Sequence, residues 1–376
     1  MPVYNDLRPK KDFKEKDYAL VFPDWHEPDE NRAEKKRTIE NLLALRQGLQ
    51  REIAVKKADN NLLVASWNIK EFGHTTQRLN ESYHYIAEII AAFDLVAVQE
   101  IKTGLKDLNI IMRLLGPDWT YLINDITEGT DGNNERSGFV FNKKRVNFAG
   151  LAGEIVLWDD LTRNSTVKQL KRTPYITGFN AGWKTFAMIN LHLQPGESDA
   201  NIKKRREEVT LLLKAIKQKI SDGHFWNENL ILCGDFNFYA GAAKDDPTIK
   251  AIHEAGFKEV ESLIGKDTNA SETEAYDRLF LSANEYFTLG KNSAGKENGG
   301  VFNPFDYVFK FGREEIYKDY MIDDYTGEKD MTDAGNRKSY FKHPWRKNQI
   351  TDHFPIWFEL VIDSSDTFLT EKKGEM

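Results

Sequence analysis

A chain of 376 residues, 40% hydrophobic and 12% aromatic, has the composition of a globular protein, which excludes an intrinsically disordered or fibrous one. With 59 acidic and 52 basic residues the net charge is −7, which excludes a histone-like binder held by bulk positive charge. It does not exclude a nuclease whose cleft is locally basic or metal-neutralised. The single cysteine, Cys233, rules out an internal disulfide and reads as a buried structural thiol. The N-terminus lacks the apolar core of a signal peptide and no stretch approaches a membrane span, so a cytoplasmic protein without a membrane partner is expected.

Residues 1–60 form an extension dense in both charge signs. Within it Ile39, Leu42, Leu43, Leu49 and Ile53 recur at helical spacing and predict one amphipathic helix between Asn31 and Ile53, packed on the outside of the main domain. From Leu62 the texture changes. LLVASW predicts a strand ending at Asn68, and a helix follows from Asn80 with Tyr85, Ile86, Ile89, Ile90 and Phe93 on one face. DLVAVQE predicts a second strand ending at Glu100, then a helix over 105–115.

Strands are expected at 138–142, 174–179 and 185–191, the last running into His192. A long helix is expected over 199–220, then the apolar run LILC, broken by Gly234 and followed by Asp235 and Asn237. A helix over 247–255, a strand over 276–281 and a final strand over 354–362 complete the series. Residues 319–348, polar and glycine-dotted, read as a long loop or an insertion in a catalytic domain spanning 61–363, and residues 364–376 as a flexible tail.

Alternating strands and helices point to a layered α/β architecture. Polar residues stand at the ends of at least five strands: Asn68, Glu100, His192, Asp235 with Asn237, and Asp352 with His353. Their convergence at one sheet edge would make a shared pocket. Oxygen ligands such as Glu100, Asp235, Asn237 and Asp352 suit a hard cation, Mg²⁺ or Mn²⁺, which keeps waters and takes one or two carboxylates plus a phosphate. Histidines beside carboxylates suit proton transfer near neutral pH. Metal-assisted hydrolysis of a phosphoester has these needs. Each residue also has a plainer reading: Asn68 and Glu100 as helix caps, His192 as a satisfied structural histidine, Asp352-His353 as a polar turn. The run Lys203 to Arg206 reads as a solvated helix start, because Glu207 and Glu208 follow at once.

In order along the chain, WNIKEFG, DLVAVQEI, ERSGFVF, KRTPYITGF, INLHLQP, LILCGDFN, AYDRLFLS, PFDYVF and ITDHFPIWFEL resemble the endonuclease/exonuclease/phosphatase superfamily, and within it the deoxyribonuclease I branch. The resemblance covers residues 62–362. It implies a sandwich of two β-sheets flanked by helices, with the site at one edge. It further implies that Glu100, assisted by Asn68, is the principal Mg²⁺ ligand, with Asp235 and Asp352 helping to hold metal or water. By the same resemblance His192, oriented by Glu135, is the acid that protonates the leaving 3′ oxygen. His353, oriented by Asp277, is the base that activates water, while Asn237 and Arg172 grip the scissile phosphate. The implied partner is nucleic acid, DNA above all.

Two positions depart from the family pattern. Asn133 stands where a tyrosine stacks in the DNA minor groove, and Lys102 where an arginine reads that groove. The extension 1–60 and the 319–348 segment have no counterpart in the resemblance. The leading expectation is a Mg²⁺-dependent, sequence-nonspecific DNA endonuclease leaving 5′-phosphate and 3′-hydroxyl ends. A phosphatase or phosphodiesterase for a small or lipid phosphoester is the alternative, and a catalytically inactive binding or scaffold protein the remote one.

Overall fold

A computed structural model describes residues 2–9, 21–22, 25, 31–57, 59–73, 78–126, 134–223, 229–239 and 246–376. The strands are β1 (Asn61–Phe72), β2 (Leu95–Lys102), β3 (Trp119–Ile123), β4 (Glu135–Asn142), β5 (Asn147–Glu154), β6 (Tyr175–Ala181), β7 (Lys184–His192), β8 (Leu230–Asp235), β9 (Lys258–Glu259), β10 (Asp277–Ser282), β11 (Gly299–Val301) and β12 (Ile356–Val361). The helices are α1 (Arg32–Glu52), α2 (Asn80–Ala92), α3 (Lys106–Leu115), α4 (Asp159–Thr162), α5 (Asp199–Ser221), α6 (Pro247–Glu254), α7 (Lys318–Asp324), α8 (Ala334–Tyr340), α9 (Arg346–Gln349) and α10 (Ser365–Glu375).

The strands form two six-stranded mixed sheets, ordered β11-β12-β1-β2-β4-β3 and β5-β6-β7-β8-β10-β9. In each, one central pair is parallel, β1 with β2 and β7 with β8, and the other pairs are antiparallel. This is the expected sandwich. Strand periodicity decides which side chain goes where. Leu62 and Val64 of β1 join Met188, Ile231, Cys233 and Phe358 in the layer between the sheets, whereas Leu63, Ala65, Trp67 and Ile69 face outward onto a second core with α2 and α3. On the far side of the second sheet, α5 and α6 cover Ile189, Leu191, Leu230 and Leu232. Cys233 is wholly buried, and burial pushes its thiol pKa well up, as a structural thiol requires.

Several expectations are corrected. Helix α1 buries Leu42, Leu45 and Leu49, but Ile39 and Leu43 are exposed, so its inner stripe is narrower than the one expected. Likewise Ile220, expected to face inward from α5, is exposed. The 319–348 segment is not a loop. It forms α7, α8, a π-helical turn Phe341–Trp345 and the start of α9, and buries Met321, Phe341 and Trp345 completely. Residues 365–375 form α10 rather than a frayed tail, with Phe368 beside Trp183 and Tyr286.

The two parts without a counterpart in the resemblance meet each other. Arg37 of α1 binds the buried carboxylate of Glu81 in α2 at 2.6 Å, and its guanidinium lies 5.0 Å from the ring centre of Tyr317, just before α7. Extension and inserted helices therefore share one core with the first sheet. Among the described residues no helix is long and apolar enough to cross a membrane.

Candidate active site

The candidate residues are aimed by irregularities at the ends of central strands. Asn68 does not cap a helix; β1 continues to Phe72, and its register on β2 shifts between Asn68 and Phe72. Glu100 lies where β2 bulges against β4, between the register pairs Val98–Gly138 and Ile101–Arg136, and has a φ of 60°. A bulge of this kind re-aims a side chain, and a non-glycine residue with positive φ is a strain held by its surroundings. Here the Glu71 backbone N–H donates to Glu100 Oε2 at 2.8 Å, while Asn68 Nδ2 donates to Glu100 Oε1 at 3.1 Å.

Gly234 sets the other half of the site. Its φ is +128°, and a Cβ built on it would lie 2.0 Å from the carbonyl oxygen of Leu191, so only glycine lets β8 lie this close to β7. That approach pairs His192 with Asp235 in register. Asp235 Oδ2 accepts from Asn68 Nδ2 at 3.1 Å and stands 3.4 Å from His192 Nε2 and 3.8 Å from His353 Nε2. The backbone N–H of Asn237 (φ 50°) donates to Asp235 Oδ1 at 2.8 Å, and its side-chain amide donates to the carbonyl of Leu193 at 3.1 Å.

Each histidine has its own carboxylate behind it. His192 Nδ1 is 3.3 Å from Glu135 Oε2, which also accepts from Arg172 Nε at 3.1 Å. Burial works to raise the Glu135 carboxyl, but His192, Arg172 and Lys102 together hold it well below the usual carboxylate range. His353 Nδ1 is 2.8 Å from Asp277 Oδ2, which also accepts from Thr268 Oγ1 at 2.9 Å. Burial opposes charge on His353, yet Asp277, Asp235 and Asp352 raise its pKa well above the ordinary imidazole value.

Asn68, Glu100, Glu135, Arg172, His192, Asp235, Asn237, Asp277 and His353 are thus joined through short contacts into one cluster. Asp352 is placed differently. Its side chain is one-third exposed, its ion pair among the described residues is with Lys70 at 3.6 Å, and it acts on His353 through charge. Lys102 is 3.1 Å from Glu135, turned into the cluster rather than outward. Asn133 lies outside the described residues.

Among the described residues no group of three or more histidine, cysteine or acidic side chains is arranged to hold a metal ion. What the cluster offers instead is two carboxylates, Glu100 and Asp235, bridged by the amide of Asn68, whose Oδ1 is buried without a hydrogen-bond partner among the described residues. An all-oxygen set with an orphaned amide oxygen fits a hard cation that keeps most of its waters.

Other residues of the site escaped the sequence reading. Asn190 bridges the sheets, donating to the carbonyls of Val98 at 3.1 Å and Gly138 at 2.9 Å and accepting from Gln99 Nε2 at 2.6 Å. It falls in phase with His192 on β7, and a polar residue at an inward position was the available signal. Thr268 and Thr351 had none. Thr351 Oγ1 donates to the Asn68 carbonyl at 2.7 Å and accepts from the His353 N–H at 3.0 Å, a contact set by tertiary structure alone.

No family model matches the chain. It is 27% identical to human deoxyribonuclease-1 over 255 residues, 64% of this chain and 82% of that one. It is 24% identical to rat deoxyribonuclease gamma over 332 residues, 84% of this chain and 88% of that one. Among solved structures it is similar to an endonuclease/exonuclease/phosphatase family protein from Bacteroides thetaiotaomicron (TM-score 0.49, 18% identity, 81% of this chain and 98% of that one). It is similar too to D. rerio TDP2 complexed with single strand DNA product (TM-score 0.46, 14% identity, 80% and 98%). In its ordered motifs, its two-sheet sandwich and its sequence relatives, the chain is thus similar to the deoxyribonuclease I-like hydrolases over most of its length.

Proposed function

We propose that the protein is a Mg²⁺-dependent phosphodiester hydrolase that cuts DNA without sequence preference. The observation that carries this reading is the pair of histidines, each backed by its own carboxylate, on either side of Asp235. Two imidazoles so placed supply a proton acceptor and a proton donor to one reaction. The names of the deoxyribonuclease relatives favour DNA as the polymer.

In this reading Glu100, with Asn68 and Asp235, would hold the cation, and Asp352 would hold metal or a water at its margin. When bound, Mg²⁺, or Mn²⁺ in its place, neutralises phosphate charge and polarises the phosphorus. The protein's own groups do the rest. Arg172 and the amide of Asn237 bind the non-bridging oxygens of the scissile phosphate. His353 takes a proton from water, and the hydroxide oxygen bonds to phosphorus as the bond to the 3′ oxygen breaks. His192 gives its Nε2 proton to that leaving oxygen. Burial disfavours charge on His353, but Asp277, Asp235 and Asp352 favour its taking up a proton, which suits it to accept one from water. Glu135 stays ionised and keeps the Nδ1 proton of His192 in place, so Nε2 faces the reaction.

The products are a 5′-phosphate and a 3′-hydroxyl. Supercoiled plasmid incubated with protein and Mg²⁺ is expected to be nicked, EDTA to abolish nicking, and end mapping to find those termini. Absence of nicking with Mg²⁺, Mn²⁺ and Ca²⁺ alike would overturn the reading.

A further inference from the structure

The inserted helices end beside the reaction centre. Helix α9 carries Lys347, whose Nζ donates to Ser271 Oγ at 3.1 Å. Ser271 belongs to the turn that holds the reaction-centre backbone: the Ala270 N–H donates to the Asp352 carbonyl at 2.8 Å, and Asn269 bridges to His353. Lys347 has no carboxylate within ion-pair distance among the described residues, and it is only partly buried. Its charge sits beside those of Lys70, Arg346 and Lys342, with Asp352 the acidic neighbour.

Helix α9 is fixed from behind. Arg346 is buried, its guanidinium 4.4 Å from the ring centre of Phe305 and 3.7 Å from that of Phe311, and Trp345 is wholly buried. Lys70 is already paired with Asp352 at 3.6 Å and Arg346 is buried, which leaves Lys347 as a cation at this rim able to meet a phosphate of a bound polyanion. A single-phosphate ester would occupy only the His192–Asp235–His353 cluster, whereas a polynucleotide has further phosphates a few ångströms along its backbone.

We propose that Lys347 contacts a non-scissile phosphate of a single- or double-stranded polynucleotide, on the His353 side of the cleft, so that the inserted segment is a substrate-gripping element. This rests on the phosphodiesterase reading above and adds the polymer contact to it. A lysine that neutralises one phosphate releases condensed counterions, and the logarithm of the association constant then falls with log[salt] by about 0.7 to 0.9 per contact.

The test is fluorescence-anisotropy titration of the full chain with a labelled oligonucleotide, in EDTA, from 50 to 200 mM salt, for the unaltered protein, Lys347→Ala and Lys347→Arg. Lys347→Ala is expected to weaken binding several-fold at low salt and to lower the salt slope by about one contact. Lys347→Arg is expected to restore both. Equal slopes for the unaltered protein and Lys347→Ala would overturn the contact, and so would no binding at all. Turnover of bis(4-nitrophenyl) phosphate by the unaltered protein is followed alongside. If that diester is not hydrolysed while the slope still changes, the catalytic reading fails and the contact stands; if it is hydrolysed and the slopes agree, the reverse holds.

Discussion

His192 and Asp235 are register partners on adjacent parallel strands, β7 and β8, and His192 Nε2 stands 3.4 Å from Asp235 Oδ2. The same oxygen is 3.8 Å from His353 Nε2, so one carboxylate reports to both histidines. Replacing either histidine with alanine is expected to lower the rate of plasmid nicking by about a hundredfold or more. Asp235→Asn keeps the shape but removes the shared charge, and a loss of similar size is expected. Single-turnover nicking at saturating protein is the measurement. Near-normal rates in any of the three variants would remove that residue from the chemistry.

Glu100 offers a second handle. Its two oxygens are held by the Asn68 amide and the Glu71 N–H, which leaves a preorganised carboxylate at a positive-φ bulge. Glu100→Gln preserves volume and removes the charge. The Mg²⁺ concentration giving half-maximal nicking is expected to rise by roughly tenfold or more, in line with losses seen when the surroundings of a metal are altered. Titrating nicking rate against Mg²⁺ checks this, and an unshifted midpoint would place the cation elsewhere.

Much of this architecture is legible in the sequence, and the rest follows a physical pattern. Central strands such as LLVASW and LILCGD are apolar on both faces because both faces are buried, so they stand out from the chain. The missed strands are edge strands or fragments. NFAGLAGE in β5 alternates between exposed and half-exposed positions with small residues, and GGV in β11 has three residues, so neither writes a hydrophobic period. The inserted helices were hidden because Tyr317, Met321, Phe341 and Trp345 anchor several short elements instead of one face of a long one. For the site, a polar residue following an apolar run exposed Asn68, Glu100, His192 and Asp235. Thr268 and Thr351 depend on which loops meet and the turn of Lys102 towards Glu135 on how β2 pairs with β4, and local pattern carries no trace of either.

Away from the site, His84 of α2 is buried between aromatic rings, stacked 5.7 Å from Trp25 at 10°, and among the described residues neither ring nitrogen has a hydrogen-bond partner. Burial pulls its pKa down to about 3. The unfolded chain binds this proton below about 6.5 and the folded one does not, so the stability is full above that pH. It is lost as the pH falls from about 6.5 toward about 3. His84→Phe removes the titration while keeping an aromatic ring. In urea unfolding at pH 7 and pH 5, the unaltered protein is expected to lose about 2 kcal/mol more than the variant between the two conditions. Equal losses would mean that His84 charges freely in the folded state.

The contact between α1 and the main domain gives the last prediction, and its sign runs against intrinsic propensity. Gly48 lies within α1, where alanine is ordinarily better than glycine by about 1 kcal/mol. A Cβ at this position would meet three ring atoms of Tyr307 at 2.3 to 2.6 Å. Tyr307 cannot easily retreat, because its hydroxyl is held by Arg51 and Glu52 and its ring stacks on Phe302 at 5.6 Å. Gly48→Ala is therefore expected to destabilise the protein by about 1–3 kcal/mol, the usual cost of overpacking. With Tyr307→Ala as background the clash is gone and propensity is left, so the same Gly48→Ala change becomes neutral or stabilising. Urea unfolding of the four proteins of this cycle measures the sign change directly. If Gly48→Ala were stabilising in both backgrounds, α1 would not be seated against Tyr307.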